Sequence, residues 1–328
     1  GLDGTLPAAK LLGMLPGLED LDLARNALGG TLPAEYSTLK RLKNLWLYDN
    51  ALSGTLPEAW ASMERLEALD LGRYEPAGYY EWGNKLTGTL PAAWGQGFQS
   101  LTNLSLSYSR LNGTLPGSWA SMPKLRKIHL IKNRLRGALP VAWSTLPLVD
   151  VGLGENLLSG TLPKEWAALT QMVWLWLDSN TFEGTLPSSW SAMRKLEWFD
   201  ISSNRRLSGT LPDAWAAWTK LRVFKALSNR FSGTLPASWA SMALIQRIDL
   251  AYNQLTGTLP SAYRAFRKCE HFHLNQNQAI IGSLPASWGS GMASMQLLNL
   301  WDNKLTGTLP PEWSGMSKLQ RLDMHTNN

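Results

Sequence analysis

The groups able to hold a metal or move a proton are few in these 328 residues: four histidines, one cysteine and scattered carboxylates. His271 and His273 alternate along one stretch, with Asp249 before them and His325 after, but no HExxH or comparable spacing accompanies them. Ligand spacing is what marks a metal site, so none is expected. Cys269 stands alone, which allows neither an intrachain disulfide nor a thiolate cluster, and as a small apolar side chain it reads as inert core. No GxSxG, P-loop or dinucleotide fingerprint is present. These residues argue against an enzyme and call for no cofactor.

The remaining chemistry is that of recognition. The stretch from Lys124 to Arg136 carries six basic residues and no acid, and within it Lys127, Lys132, Arg134 and Arg136 are candidates for holding an anionic glycan. A solvated face explains them equally. A net charge of +6 permits an acidic partner, but no helix-turn-helix, RRM or zinc-finger pattern points to nucleic acid. Asn103-Leu-Ser and Asn112-Gly-Thr are glycosylation sequons, and Asn112 is the better acceptor because it falls in a turn. Seventeen tryptophans are many for this length, and a scaffold must be found that explains most of them.

That scaffold is a repeat. Gly-Thr-Leu-Pro or a near variant occurs thirteen times, with Gly at 4, 30, 54, 88, 113, 137, 160, 184, 209, 233, 257, 282 and 307. Eleven intervals are 23 to 26 residues and one, from Gly54 to Gly88, is 34. A fixed period of this size means stacked units that cannot bury an apolar face alone. The unit reads LxxLxLxxN, a turn, then GTLPxxWxxM, as in Leu42, Leu45, Leu47, Asn50, Gly54, Pro57, Trp60 and Met63. Leu45 and Leu47 alternate as in a strand with one buried face. Leu56, Trp60 and Met63 are spaced as one helical face, with Pro57 where a first helical turn tolerates it. The recurring Asn is placed to satisfy backbone groups of the turn, within its unit and across to a neighbour. Ser109 replaces it once. Ten tryptophans, from Trp60 to Trp313, occupy the PxxW position and read as core.

The expected fold is therefore a leucine-rich-repeat α/β solenoid spanning 1–328 as one domain, a right-handed superhelix of about thirteen units. It has parallel strands on a concave side and short α or 3₁₀ turns on the convex side. Both terminal caps are expected to lie outside the chain. With leucines facing in, the x residues face out. The centre of LxL runs Asp22, Trp46, Asp70, Ser105, His129, Gly152, Trp176, Asp200, Lys225, Asp249, His273, Asn299 and Asp323. On this face Trp174, Trp176 and Trp198 fall on adjacent strands, and Trp46 with Tyr48 forms a second pair. Exposed indoles are costly in water and enriched at binding hot spots, although mutual packing accounts for them too. The long unit adds a rim loop, 72–83, whose Tyr74, Tyr79, Tyr80 and Trp82 give it a paratope-like loading.

The unit LxxLxLxxNxLxGTLPxxWxxM resembles the repeats of trypanosomatid surface antigens, the promastigote surface antigen and proteophosphoglycan group, over the whole chain. It also looks like the plant-type repeat, which usually has Ile for the Leu of GTLP and lacks the Trp. The first resemblance implies a protein anchored at or shed from the cell surface that engages host proteins or receptors. Cysteine-rich flanks, a Thr-rich stalk and an anchor signal are absent from this segment. Nothing in it is apolar enough to insert in a membrane. The functional expectation is a binding module for a protein or glycan ligand. A structural coat protein and an intracellular assembly subunit are the alternatives, and oligomeric state is left open.

Overall fold

The computed structural model describes residues 1–15, 17–72 and 84–328, which group into two compact units, Gly1–Ser159 and Gly160–Asn328. In the first unit six three-residue strands pair in parallel in chain order. They are β1 (Asp20–Asp22), β2 (Asn44–Trp46), β3 (Ala68–Asp70), β4 (Asn103–Ser105), β5 (Lys127–His129) and β6 (Asp150–Gly152). The second unit holds seven more, paired in the same way. They are β7 (Trp174–Trp176), β8 (Trp198–Asp200), β9 (Val223–Lys225), β10 (Arg247–Asp249), β11 (His271–His273), β12 (Leu297–Asn299) and β13 (Arg321–Asp323). The thirteen strands match the thirteen sequence units.

Every strand but the last, β13, buries its middle residue. Leu45, Leu69, Leu104, Ile128 and Val151 are at most 1% exposed, as is the next leucine of the pattern, such as Leu47 or Leu71. After that leucine the chain turns through a left-handed residue, for example Asp49 (φ 53°) or Ser203 (φ 56°). The asparagine that follows is buried in most repeats, and Asn204 spends both ends of its amide on backbone. Asn204 donates through Nδ2 to the carbonyls of Leu177, Ile201 and Ser202 at 3.0 to 3.1 Å, and its Oδ1 accepts from the N–H of Phe182 at 3.1 Å. Leu177 and Phe182 belong to the preceding repeat, so the amide ties two repeats together. Where Ser109 stands instead, its Oγ is buried and meets no partner among the described residues.

The chain then runs through a second, outer strand, as at Arg230–Thr234 and Gln254–Thr258, which pair in parallel. Here lies the glycine of GTLP. Gly257 has φ +77°, and a Cβ on it would stand 2.7 Å from Thr234 Cγ2. The position demands glycine twice, for its conformation and for the threonine methyl resting on it.

The return is a 3₁₀ turn such as Glu58–Ser62. Pro57 was expected inside its first turn but sits one residue before it, in extended conformation. From there its carbonyl accepts the Trp60 backbone N–H at 3.2 Å and the Nε1–H of Trp94, the next repeat's tryptophan, at 3.0 Å. Both lone pairs of that oxygen are thus used. The same indole-to-proline bond joins Trp119 to Pro91 (3.0 Å) and Trp239 to Pro212 (3.1 Å), and Tyr36 and Tyr263 reproduce it through their hydroxyls. The ten PxxW tryptophans are buried, and neighbours stack, Trp119 on Trp143 with ring centres 6.1 Å apart. Cys269 is fully buried, its thiol donating to the His271 carbonyl and its pKa pushed up to about 12 by burial. Among the described residues no helix is long and apolar enough to cross a membrane.

Candidate ligand-binding faces

In a strand that buries its middle residue, the residues on either side point away from the core. The resulting face of each unit carries the residues singled out in the sequence. In the second unit Trp174 and Trp198 are direct partners across β7 and β8, and Trp176 faces Asp200. Trp174 is 36% exposed. Trp176 and Trp198 are half-buried and tilt against each other, ring centres 6.3 Å apart, while Lys225 Nζ lies 5.2 Å from the centre of the Trp198 ring on its other flank. The three indoles therefore form one aromatic patch closed by a lysine. Lys225 is in turn 3.5 Å from Asp200.

In the first unit the register Trp46, Asp70, Ser105, His129 runs straight across β2 to β5. Between the large side chains of Trp46 on one side and His129 and Ile131 on the other stand small ones: Ala68, Ser105 and Ser107. That size contrast opens a depression of about 460 Å³. Asp70 lies on its floor, accepting the Gly72 N–H at 3.0 Å and the Ser105 hydroxyl. Burial pushes the Asp70 pKa up, and these two hydrogen bonds and the nearby His129 oppose the shift. His129 Nε2 bonds the Asp150 carboxylate at 2.8 Å. Tyr48, at the edge, carries the Arg25 guanidinium 5.6 Å from its ring centre.

This depression was not foreseen. Asp70, Ser105 and His129 were legible as outward residues, but the signal that marks a hollow is the run of small residues between large ones across successive repeats. The rim-loop residues Tyr74, Tyr79, Tyr80 and Trp82 lie outside the described residues.

The four basic candidates are not brought together. Lys127 is on the strand face, whereas Lys132 occupies the turn, 3.7 Å from Glu155 and with its Nζ 5.3 Å from the Tyr108 ring centre. Arg134 and Arg136 are exposed at the outer strand, where Arg110 and Lys85 of the two preceding repeats are exposed at the positions equivalent to Arg134. Asn112 is exposed, its backbone bonded to the Gly88 carbonyl; Asn103 is exposed on β4. His271 and His273 stack with ring centres 6.5 Å apart, and no group of three His, Cys, Asp or Glu side chains suited to a metal occurs among the described residues.

Models of the leucine-rich repeat match residues 41–63, 100–122 and 267–328. The ectodomain of the Arabidopsis receptor kinase HAESA, solved with an extended IDA peptide hormone, superposes with a TM-score of 0.88 at 27% identity. The match covers 99% of this chain and 52% of that one. The fold is a leucine-rich-repeat solenoid. PEPR1, solved with AtPEP1, gives 0.82 at 27% identity over 100% of this chain and 48% of its own. A leucine-rich-repeat protein of Leptospira interrogans gives 0.76 at 28%, covering 99% and 76%. The chain spans about half the length of the two plant proteins. No curated protein matches it in sequence.

Proposed function

We propose that this solenoid is an extracellular module that binds a protein or peptide on its strand face, with Trp174, Trp176 and Trp198 as contact residues in the second unit and Trp46 and Tyr48 in the first. The carrying observation is the aromatic patch: three indoles side by side on a face that the repeat does not need for its core, one of them 36% exposed. Large aromatic side chains on a rigid wall are the usual anchors of an interface. The solved plant ectodomains, HAESA holding a peptide hormone among them, support the reading and a place at the cell surface or in secretion. The resemblance to trypanosomatid surface antigens makes a host protein the ligand in this proposal. Tyr74, Tyr79, Tyr80 and Trp82 join it by their place in the chain, shortly after β3, and Asn112 is its glycosylation site.

The test is capture from host-cell surface extract by the wild-type chain beside Trp174→Ala/Trp176→Ala/Trp198→Ala, with folding checked by circular dichroism. The reading expects a partner held by the first and weakened about tenfold or more in the second. Equal capture by both would remove this face from the proposal. A second reading, an anionic glycan, is favoured by Lys85, Arg110, Arg134 and Arg136, all exposed and none in an ion pair among the described residues. Retention on heparin that falls when Arg110 and Arg134 become Ala is its expected result.

A further inference from the structure

Five strands end in an aspartate at the same position: Asp22, Asp70, Asp200, Asp249 and Asp323. Part of its use is local, since Asp22, Asp70, Asp200 and Asp249 each accept the backbone N–H two residues on. The charge is handled separately. Asp200 has Lys225 at 3.5 Å, Asp249 has Arg247 at 3.4 Å and Asp323 has Arg321 at 2.8 Å. Asp22 is exposed to water. Asp70 is half-buried, and no lysine or arginine is paired with it among the described residues.

The sequence explains the difference. Two positions supply the cation elsewhere: the first residue of the same strand, Arg247 or Arg321, and the facing residue of the next strand, Lys225. At Asp70 those positions hold Ala68 and Ser105. Among the described residues, Asp70 is therefore left without a lysine or arginine beside it, and the small side chains leave room there, the 460 Å³ depression. His129, the other charge-bearing group that reaches Asp70 favourably, is held by Asp150. Lys127 is exposed at the lip and forms no ion pair with Asp70. A half-buried carboxylate with no lysine or arginine beside it gains from an incoming cation. Trp46, the cross-strand partner of Asp70, stands three strand steps from His129, about 14 Å, which admits one side chain between the walls.

We propose that this depression is a receptor for one cationic side chain of a peptide ligand, a guanidinium or ammonium group held by Asp70 and lying against Trp46. The inference rests on the peptide-binding reading and names part of what is bound.

Ligand-detected NMR with N-acetyl-arginine amide, N-acetyl-lysine amide and the neutral N-acetyl-citrulline amide tests it without knowledge of the natural ligand. The arginine and lysine probes should bind, and citrulline should be about tenfold weaker. Asp70→Asn should bring arginine to the citrulline level. Ala68→Arg, which copies the Arg247 arrangement, should do the same by filling the site from within, and Trp46→Ala should weaken both cations a few-fold. Binding of citrulline equal to arginine, indifference to both Asp70→Asn and Ala68→Arg, or no binding of any probe would overturn the proposal. A protein captured from extract by wild type and retained by Asp70→Asn would leave the peptide-binding reading standing and remove this one.

Discussion

At the scale of single residues, the asparagine shows why a polar group belongs in an apolar wall. Asn204 is 0% exposed, yet its amide meets four backbone groups. Burial of such a group is tolerated when its hydrogen bonds are complete and costly when they are not. Ser109 is the natural counter-example, too short to bridge to the preceding repeat and left with a buried hydroxyl that meets no partner among the described residues. Ser109→Asn should therefore restore the bridge and stabilise the chain by about 1 kcal/mol, read as a higher urea midpoint with an unchanged slope. No change, or a loss, would mean that the turn after Tyr108 differs from its equivalents in more than this one side chain. The asparagine's role was legible in the sequence because an amide recurring in an apolar frame has few other uses. Asp70 was not, because its meaning lies in what its neighbours lack.

At the scale of the element, strands and turns followed from periodicity alone, while the contacts that lock them did not. Leu45 and Leu47 announce a strand, and Leu56, Trp60 and Met63 announce a helical turn. Nothing in the spacing says that Pro57 stands before the turn, or that its carbonyl takes the next repeat's indole. Likewise, glycine in GTLP signals a special backbone, but the threonine methyl seated on it is visible only in the fold. Gly257→Ala should be destabilising through both its φ of +77° and the 2.7 Å approach of Thr234 Cγ2, with a strain cost of about 1–2 kcal/mol from the first alone. Thr234→Ser removes the methyl, so the double variant should lose less than the sum of the two single losses. A double-mutant cycle with no coupling would separate the glycine from the threonine.

At the scale of the molecule, a repeat array has no central core, and its cohesion is a chain of neighbour-to-neighbour contacts. Cys269 reports on them. Its thiol is 0% exposed with a pKa of about 12, so it should resist a thiol reagent in native buffer and react only as fast as its repeat opens. A single labelling rate rising steeply with urea is the expected record. Rapid labelling of the native chain would contradict the packing around β11. The indole bonds add a direction to this cohesion, because at Trp60, Trp94, Trp119, Trp239, Trp288 and Trp313 the Nε1–H reaches back to the proline of the repeat before. Each of these repeats thus offers one acceptor forward and one donor backward, in the manner of identical couplings between carriages. A whole unit can be removed or copied without stranding either partner, and lineages carrying such a chain are free to change its length by duplication while selection edits only the outward face.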